Sequence, residues 1–162
     1  VKSIKDSTTI EYTVNKGICS IGINGDQHPS KKIKKKYNAT CKRANLYKNY
    51  YTFLYGLPMK LKDNGTIIHQ KVVKKIFKGK EYLVLKVTYD EKVGKDRWYF
   101  YFNPKNYEMK AYQFFKKEEK SGEFILLSGL ERVHEIKMPK IRAWYYNKDD
   151  RYLGTDILTT KE

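Results

Sequence analysis

Three histidines, two cysteines and two groups of carboxylates are the side chains here that could make or break bonds, and their spacing argues against each such use. His28, His69 and His134 stand singly. No HxH pair, HExxH helix or adjacent cysteine gives them zinc-ligand spacing, so no metal is expected. Cys19 and Cys41 lack a second CxxC, and a cysteine nucleophile would need a base that the spacing does not supply. In an exported protein the two would form one disulfide, stabilising by roughly 3 kcal/mol in the chain-entropy model; in a cytosolic protein they would be two buried thiols. The reading leans to the disulfide. Asp90, Glu91 and Asp96 bracket one turn, and Asp149, Asp150 and Asp156 gather near the end. A paired-acid site or a calcium loop would draw on such groups, but EF-hand spacing is absent and turn residues with lysine partners account for them. There is no G-x-S-x-G elbow, phosphate-cradling glycine loop or dinucleotide fingerprint. The expected protein is not an enzyme and takes no cofactor.

What remains is non-covalent chemistry, carried by aromatic rings and lysines. Trp98, Tyr99, Phe100, Tyr101, Tyr112, Phe114, Trp144 and Tyr146 offer large apolar area, worth about 25 cal/mol per Å² buried, to a hydrophobic or amphipathic ligand. Alternation along the strands places only some of them on any one face. The net charge is +16, from 34 basic and 18 acidic side chains, and only five of the basic ones are arginines. Base and bidentate phosphate recognition favour the arginine fork, so a solvated lysine surface is the simpler reading. The densest charge is Lys31, Lys32, Lys34, Lys35 and Lys36, a solvated turn of helix or a contact for an anionic membrane surface. Aromatics interleaved with lysines in Arg97–Phe102 and Lys110–Phe115 could also stack single-stranded bases, but no RNP-type motif is present and nucleic acid is not the expected partner.

The elements that position these residues are mostly strands. Tyr82–Tyr89, Arg97–Phe102 and Met109–Phe115 read as an antiparallel meander, broken by Gly94 and by Asn103-Pro104-Lys105-Asn106. Both faces of that meander carry apolar residues, so each is expected to be covered. Upstream, Thr8–Val14 and Ile18–Ile23 form a hairpin across Asn15-Lys16-Gly17. Ser30 caps a short lysine-rich helix, and Thr40–Tyr55 is the principal helix, with Leu46, Tyr47, Tyr50, Tyr51 and Leu54 as a stripe that packs on one face of the sheet. Strands are expected again at Thr66–His69 and Lys71–Phe77, with Lys78-Gly79-Lys80-Glu81 turning into the meander. Beyond a turn at Glu118–Gly122 come Glu123–Ser128, Arg132–Ile136, Ile141–Asn147 and Arg151–Thr159. At 162 residues the chain suits one domain, 1–162. No run approaches the roughly 18 apolar residues of a spanning helix.

Several segments in combination resemble a known family. Tyr47-Lys48-Asn49-Tyr50-Tyr51, Tyr55-Gly56-Leu57-Pro58-Met59-Lys60-Leu61, Lys86–Glu91, Trp98-Tyr99-Phe100-Tyr101-Phe102-Asn103-Pro104, Ile136–Lys140 and Leu153–Leu158 are similar to a family of uncharacterised bacterial envelope proteins. These resemble, more distantly, the lipoprotein-localisation-factor (LolA/LolB-like) half-barrels. The resemblance implies a mainly β, α+β fold: a curved antiparallel sheet or half-barrel on one principal helix, with an apolar concave side that takes acyl chains. It also implies export to the periplasm or outer-membrane surface, which suits the disulfide, and an additional N-terminal segment whose first strands this chain lacks. The expected function is therefore a non-enzymatic envelope protein binding a lipid or lipoprotein acyl chain, with Trp98, Phe100, Tyr101, Tyr112, Phe114, Trp144 and Tyr146 as candidates. The alternative is a basic polyanion-binding module for nucleic acid, lipopolysaccharide or lipid head groups.

Overall fold

The computed structural model describes residues 1–118 and 120–159. The chain divides into two compact units, Val1–Lys60 and Leu61–Glu162. It is mainly antiparallel β with one principal helix, and its sheets do not close into a barrel.

In the first unit, β1 (Lys2–Lys5), β2 (Thr8–Asn15) and β3 (Ile18–Ile23) make an antiparallel sheet in that order. The β2–β3 turn places Lys16 at φ 46° and Gly17 at φ 83°, the two left-handed residues that match a tight hairpin to the strand twist. Strand β1 has no counterpart among the expected elements: four residues with two lysines and one branched apolar side chain give too little alternation to read. Helix α1 (Lys31–Lys36) is capped by Ser30, whose Oγ accepts from Ile33 N at 3.3 Å. Helix α2 (Cys41–Gly56) is capped by Thr40, whose Oγ1 accepts from Arg43 N at 3.2 Å.

The helix packs on β2 and β3, where Ala44 joins Tyr12, Ile21 and Ile23 in a buried cluster with Tyr47 against it. The inward stripe runs from buried Ala44 through half-buried Tyr47 and Tyr51 to buried Leu54, and the tyrosines at positions 47, 51 and 55 follow one another at 6.2 and 6.1 Å. Leu46, expected in the stripe, is 63% exposed; small Ala44 takes the close approach to the sheet, and the inward face turns away from Leu46 toward Ala44 while keeping Tyr47, Tyr51 and Leu54. A Cys19–Cys41 disulfide ties β3 to the first turn of α2, with Cα atoms 5.7 Å apart. A 3-10 turn, Met59–Lys62, follows.

The second unit holds β4 (Thr66–Ile68), β5 (Val73–Phe77), β6 (Lys80–Tyr89), β7 (Arg97–Phe102), β8 (Met109–Phe115), β9 (Glu123–Ser128), β10 (Glu131–Val133), β11 (Ile136–Met138), β12 (Ile141–Tyr146) and β13 (Tyr152–Ile157). Eight of these form one antiparallel sheet in the order β13-β12-β9-β8-β7-β6-β4, with β5 pairing β6 beside β4. The outer edge of the ten-residue β6 thus carries two short strands end to end: β4 pairs Val87–Tyr89 and β5 pairs Lys80–Val84. Strands β10 and β11 pair only with each other and prolong the β9–β12 hairpin. The expected single strand Arg132–Ile136 is in fact this hairpin, because His134 takes φ 50° and turns the chain. The Glu118–Gly122 turn includes Glu119, which lies outside the described residues.

Register sorts the side chains onto two faces. One carries the aligned row Leu85, Phe100, Tyr112, Ile125 and Trp144, flanked by Val87, Trp98, Phe114, Glu123 and Tyr146. The other carries Val84, Tyr101, Ala111, Leu126 and Ala143, flanked by Lys86, Tyr99, Gln113, Phe124 and Tyr145.

Candidate functional site

Six of the seven candidate ligand residues, Trp98, Phe100, Tyr112, Phe114, Trp144 and Tyr146, share the first face, and Tyr101 alone looks the other way. Five of the six pack on one another, while Tyr146 lies under the Arg151 guanidinium, 4.6 Å from the ring centre. Trp98 stacks on Phe100 at 6.0 Å and on Phe114 at 4.8 Å, and Tyr112 meets Trp144 edge-on at 6.5 Å. Phe100 and Tyr112 have no solvent exposure, and Trp144 donates its Nε1–H to Asp156 Oδ2 at 2.8 Å. Burial pushes the Glu123 carboxyl above the usual range, with Lys116 opposing.

The second face is built differently. In a flat sheet, β5 and β9 would lie four strand spacings apart, about 19 Å. Yet the Phe77 ring at the end of β5 stands edge-on to Phe124 of β9 at 5.4 Å, and it stacks on Tyr101 of β7 at 4.6 Å. The β5–β6 hairpin therefore rolls over this face. Its two-residue turn, Lys78 at φ 49° and Gly79 at φ 75°, is of the kind that keeps the strands strongly twisted. At the tip, the Lys78 ammonium lies 4.5 Å from the centre of the Phe124 ring and pairs with Asp150 in the β12–β13 turn. Val84, Tyr101 and Ala111 are buried beneath, with Val73, Phe77, Tyr82, Tyr99 and Leu126 packed round them.

Beside the rolled hairpin is an open cleft of about 190 Å³, lined by Lys75, Arg97, Tyr99, Tyr101, Gln113 and Phe115. Tyr99 and Phe115 form its aromatic wall, edge to face at 5.7 Å, and the Lys75 ammonium sits 5.8 Å from the Tyr99 ring centre. Its polar floor is tied up internally. Tyr101 donates its hydroxyl proton to Gln113 Oε1 at 2.6 Å, and Gln113 Nε2 donates to Asn147 Oδ1 at 2.9 Å. Asn147 in turn donates from Nδ2 to the Phe114 and Ser121 carbonyls at 2.8 and 2.9 Å. Burial, with a smaller push from Tyr99, raises the Tyr101 phenol to about 12. Tyr101 is thus a neutral fixed dipole at ordinary pH.

Of the other residues singled out by the sequence, His69 meets Thr88 Oγ1 at 3.1 Å, while His28 and His134 lie in loops. Among the described residues, no three His, Cys, Asp or Glu side chains gather as a metal site. Lys31, Lys32, Lys35 and Lys36 are exposed and Lys34 is half-buried; among the described residues none of the five pairs with a carboxylate. Sequence reasoning did not single out Lys75. The other cleft residues share a parity along β7 and β8, which could have grouped them, but Lys75 joins them only because the hairpin rolls.

The chain belongs to DUF6503, a family of unknown function whose profile matches residues 1–161. No curated protein matches it, and no solved structure does.

Proposed function

We propose that this DUF6503 member is a non-enzymatic binding protein of the cell envelope, and that it takes an amphipathic ligand on the face of the eight-stranded sheet covered by the rolled hairpin. One observation carries the reading: the cleft beside the hairpin sets an aromatic wall against two cations, Lys75 and Arg97, with no carboxylate among its lining residues. An apolar body and an anionic end on one ligand would satisfy both halves. The opposite face, where most of the sequence-derived candidates lie, is buried aromatic packing and offers less.

The envelope setting is part of the proposal. The Cys19–Cys41 disulfide suits an oxidising compartment. Pockets for whole drug-sized ligands start near about 300 Å³, so at about 190 Å³ the cleft seats a head group or a fused ring rather than a whole acyl chain. Native mass spectrometry with lipid extraction, on protein from an envelope fraction, tests the reading. A bound amphiphile released on denaturation is the expected result; a clean apo mass in every preparation would sink it.

A second reading rests on the lysines of α1, none of which pairs with a carboxylate among the described residues. A polyanion or an anionic membrane surface would neutralise them, and affinity would then fall steeply with salt through counterion release. Binding to heparin that is indifferent to salt, or unchanged when Lys31, Lys32 and Lys35 become Gln, would remove it.

A further inference from the structure

The cleft specifies more than an amphipathic ligand. Lys75 comes from the rolled hairpin and Arg97 from the start of β7, and both reach one small cleft although like charges repel. Among the described residues neither has a carboxylate partner. Both are pure donors, with no lone pair to offer. The Gln113 amide on the cleft floor is already engaged, its Oε1 accepting from Tyr101 and its Nε2 donating to Asn147 Oδ1. What the site leaves unmet is therefore positive charge, with no carboxylate among the lining residues to balance it, and it calls for an anionic ligand group. The rings of Tyr99 and Phe115 flank that position.

We propose that the cleft binds a phosphate monoester or a carboxylate anion borne on a flat apolar body, with Lys75 and Arg97 holding the anion and Tyr99 and Phe115 flanking the body. This rests on the binding reading above and names its ligand class. The anion bridges hairpin and sheet, so the ligand also fastens the hairpin down.

The test uses the full chain and three probes, 1-naphthyl phosphate, the neutral 1-naphthylmethanol and inorganic phosphate, titrated by calorimetry and by amide chemical shifts. Naphthyl phosphate is expected to bind at least about tenfold tighter than either fragment alone, with shifts at Lys75, Arg97, Tyr99 and Phe115. Lys75→Met and Arg97→Met keep the aliphatic stems, and each should weaken naphthyl phosphate about tenfold, the scale of one charge-assisted hydrogen bond, without moving affinity for the alcohol or the melting temperature. If the alcohol binds as well as the phosphate, or if both variants bind the phosphate as wild type does, the anion assignment is wrong while the amphipathic reading stands. If inorganic phosphate binds as tightly as the naphthyl ester, the aromatic part is wrong. Shifts confined to residues outside the cleft overturn the site. If nothing binds, the binding reading falls too. Phosphatidic acid vesicles, whose head group is a phosphate monoester, separate the sources: capture of the protein, reversed by naphthyl phosphate, identifies a lipid head group, and no capture identifies a free ester.

Discussion

Replacing Phe77 by Ala tests whether the β5–β6 hairpin is held over the sheet by its own side chains. The Phe77 ring is half-buried between Tyr101 and Phe124, stacked on one at 4.6 Å and edge-on to the other at 5.4 Å. A fully buried Phe→Ala change costs about 3–5 kcal/mol, so partial burial reduces the transfer loss to about 1–1.5 kcal/mol. Two aromatic contacts of about 0.5 kcal/mol each bring the sum to about 2 kcal/mol. For a chain of this length that lowers Tm by about 4–8 °C. Both tryptophans, Trp98 and Trp144, lie in the Leu61–Glu162 unit, so tryptophan fluorescence in a urea titration reports the affected unit directly. Hydrogen exchange adds the location, because amides of β5 should lose protection while those of β7 and β8 keep theirs. Ile76→Ala is the control: that side chain is 80% exposed, and its loss should fall within about 0.5 kcal/mol. Equal losses for the two variants, or a Phe77→Ala loss below about 0.5 kcal/mol, would refute the rolled hairpin.

Three further outcomes follow from the same packing. Gly122 has φ 89°, and a Cβ there would stand 2.1 Å from the Phe114 carbonyl oxygen, so Gly122→Ala should cost about 2–4 kcal/mol in a denaturation titration; a neutral result would contradict the backbone path between β8 and β9. Because the folded state raises the Tyr101 phenol to about 12, the unfolded chain releases that proton first as pH climbs past 10. Stability contributed by keeping it neutral is complete below pH 10 and should fall by up to about 1.4 kcal/mol per unit between 10 and 12. Tyr101→Phe, which cannot ionise, should flatten that part of the profile, and an unchanged slope would show that Tyr101 is not protected. Converting Cys19 and Cys41 together to Ser opens a 22-residue loop and should cost about 3 kcal/mol in the chain-entropy account, read as lost amide protection in β3 and α2; retained protection would show that packing alone fixes them.

Most of the strand order was legible in the sequence because each strand carries its own signal. Arg97–Phe102 and Met109–Phe115 are dense in β-formers and sit between Gly- and Asn-Pro-bearing turns, and the structure pairs them as neighbours. The helix cap at Ser30 was just as local. What could not be read was everything set by chain reversal in the third dimension. Val73–Phe77 reads as an edge strand whose Phe77 would lie near Lys80, its ladder partner; nothing in KVVKKIF says that the ring ends against Phe124, forty-seven positions on in sequence. The two-faced apolar pattern gave the right hint, that both faces are covered, but aromatic density alone favoured the buried side. Trp98, Phe100, Tyr112 and Phe114 stood out because they are large and consecutive by alternation, which is also why they pack together. The cleft residues of the other parity mix Arg97, Tyr99, Tyr101, Gln113 and Phe115, and such a mixture scores as nothing on a hydrophobicity pattern.

The lysine excess separates along the same line. A charge of +16 attracts any anion weakly and over a Debye length of about 8 Å in physiological salt, so it raises encounter rates without choosing a ligand. Among the described residues, most lysines are exposed. Lys75 and Lys78 differ in that the rolled hairpin sets them beside aromatic rings, 5.8 Å from Tyr99 and 4.5 Å from Phe124 respectively, which gives each ammonium a fixed neighbour. Lys78 already has Asp150; Lys75 has no such partner among the described residues. Composition biased toward lysine explains neither difference. The placement comes from Phe77 and the Lys78-Gly79 turn, so a variant that releases the hairpin should weaken an anionic ligand even with every lysine still in the chain.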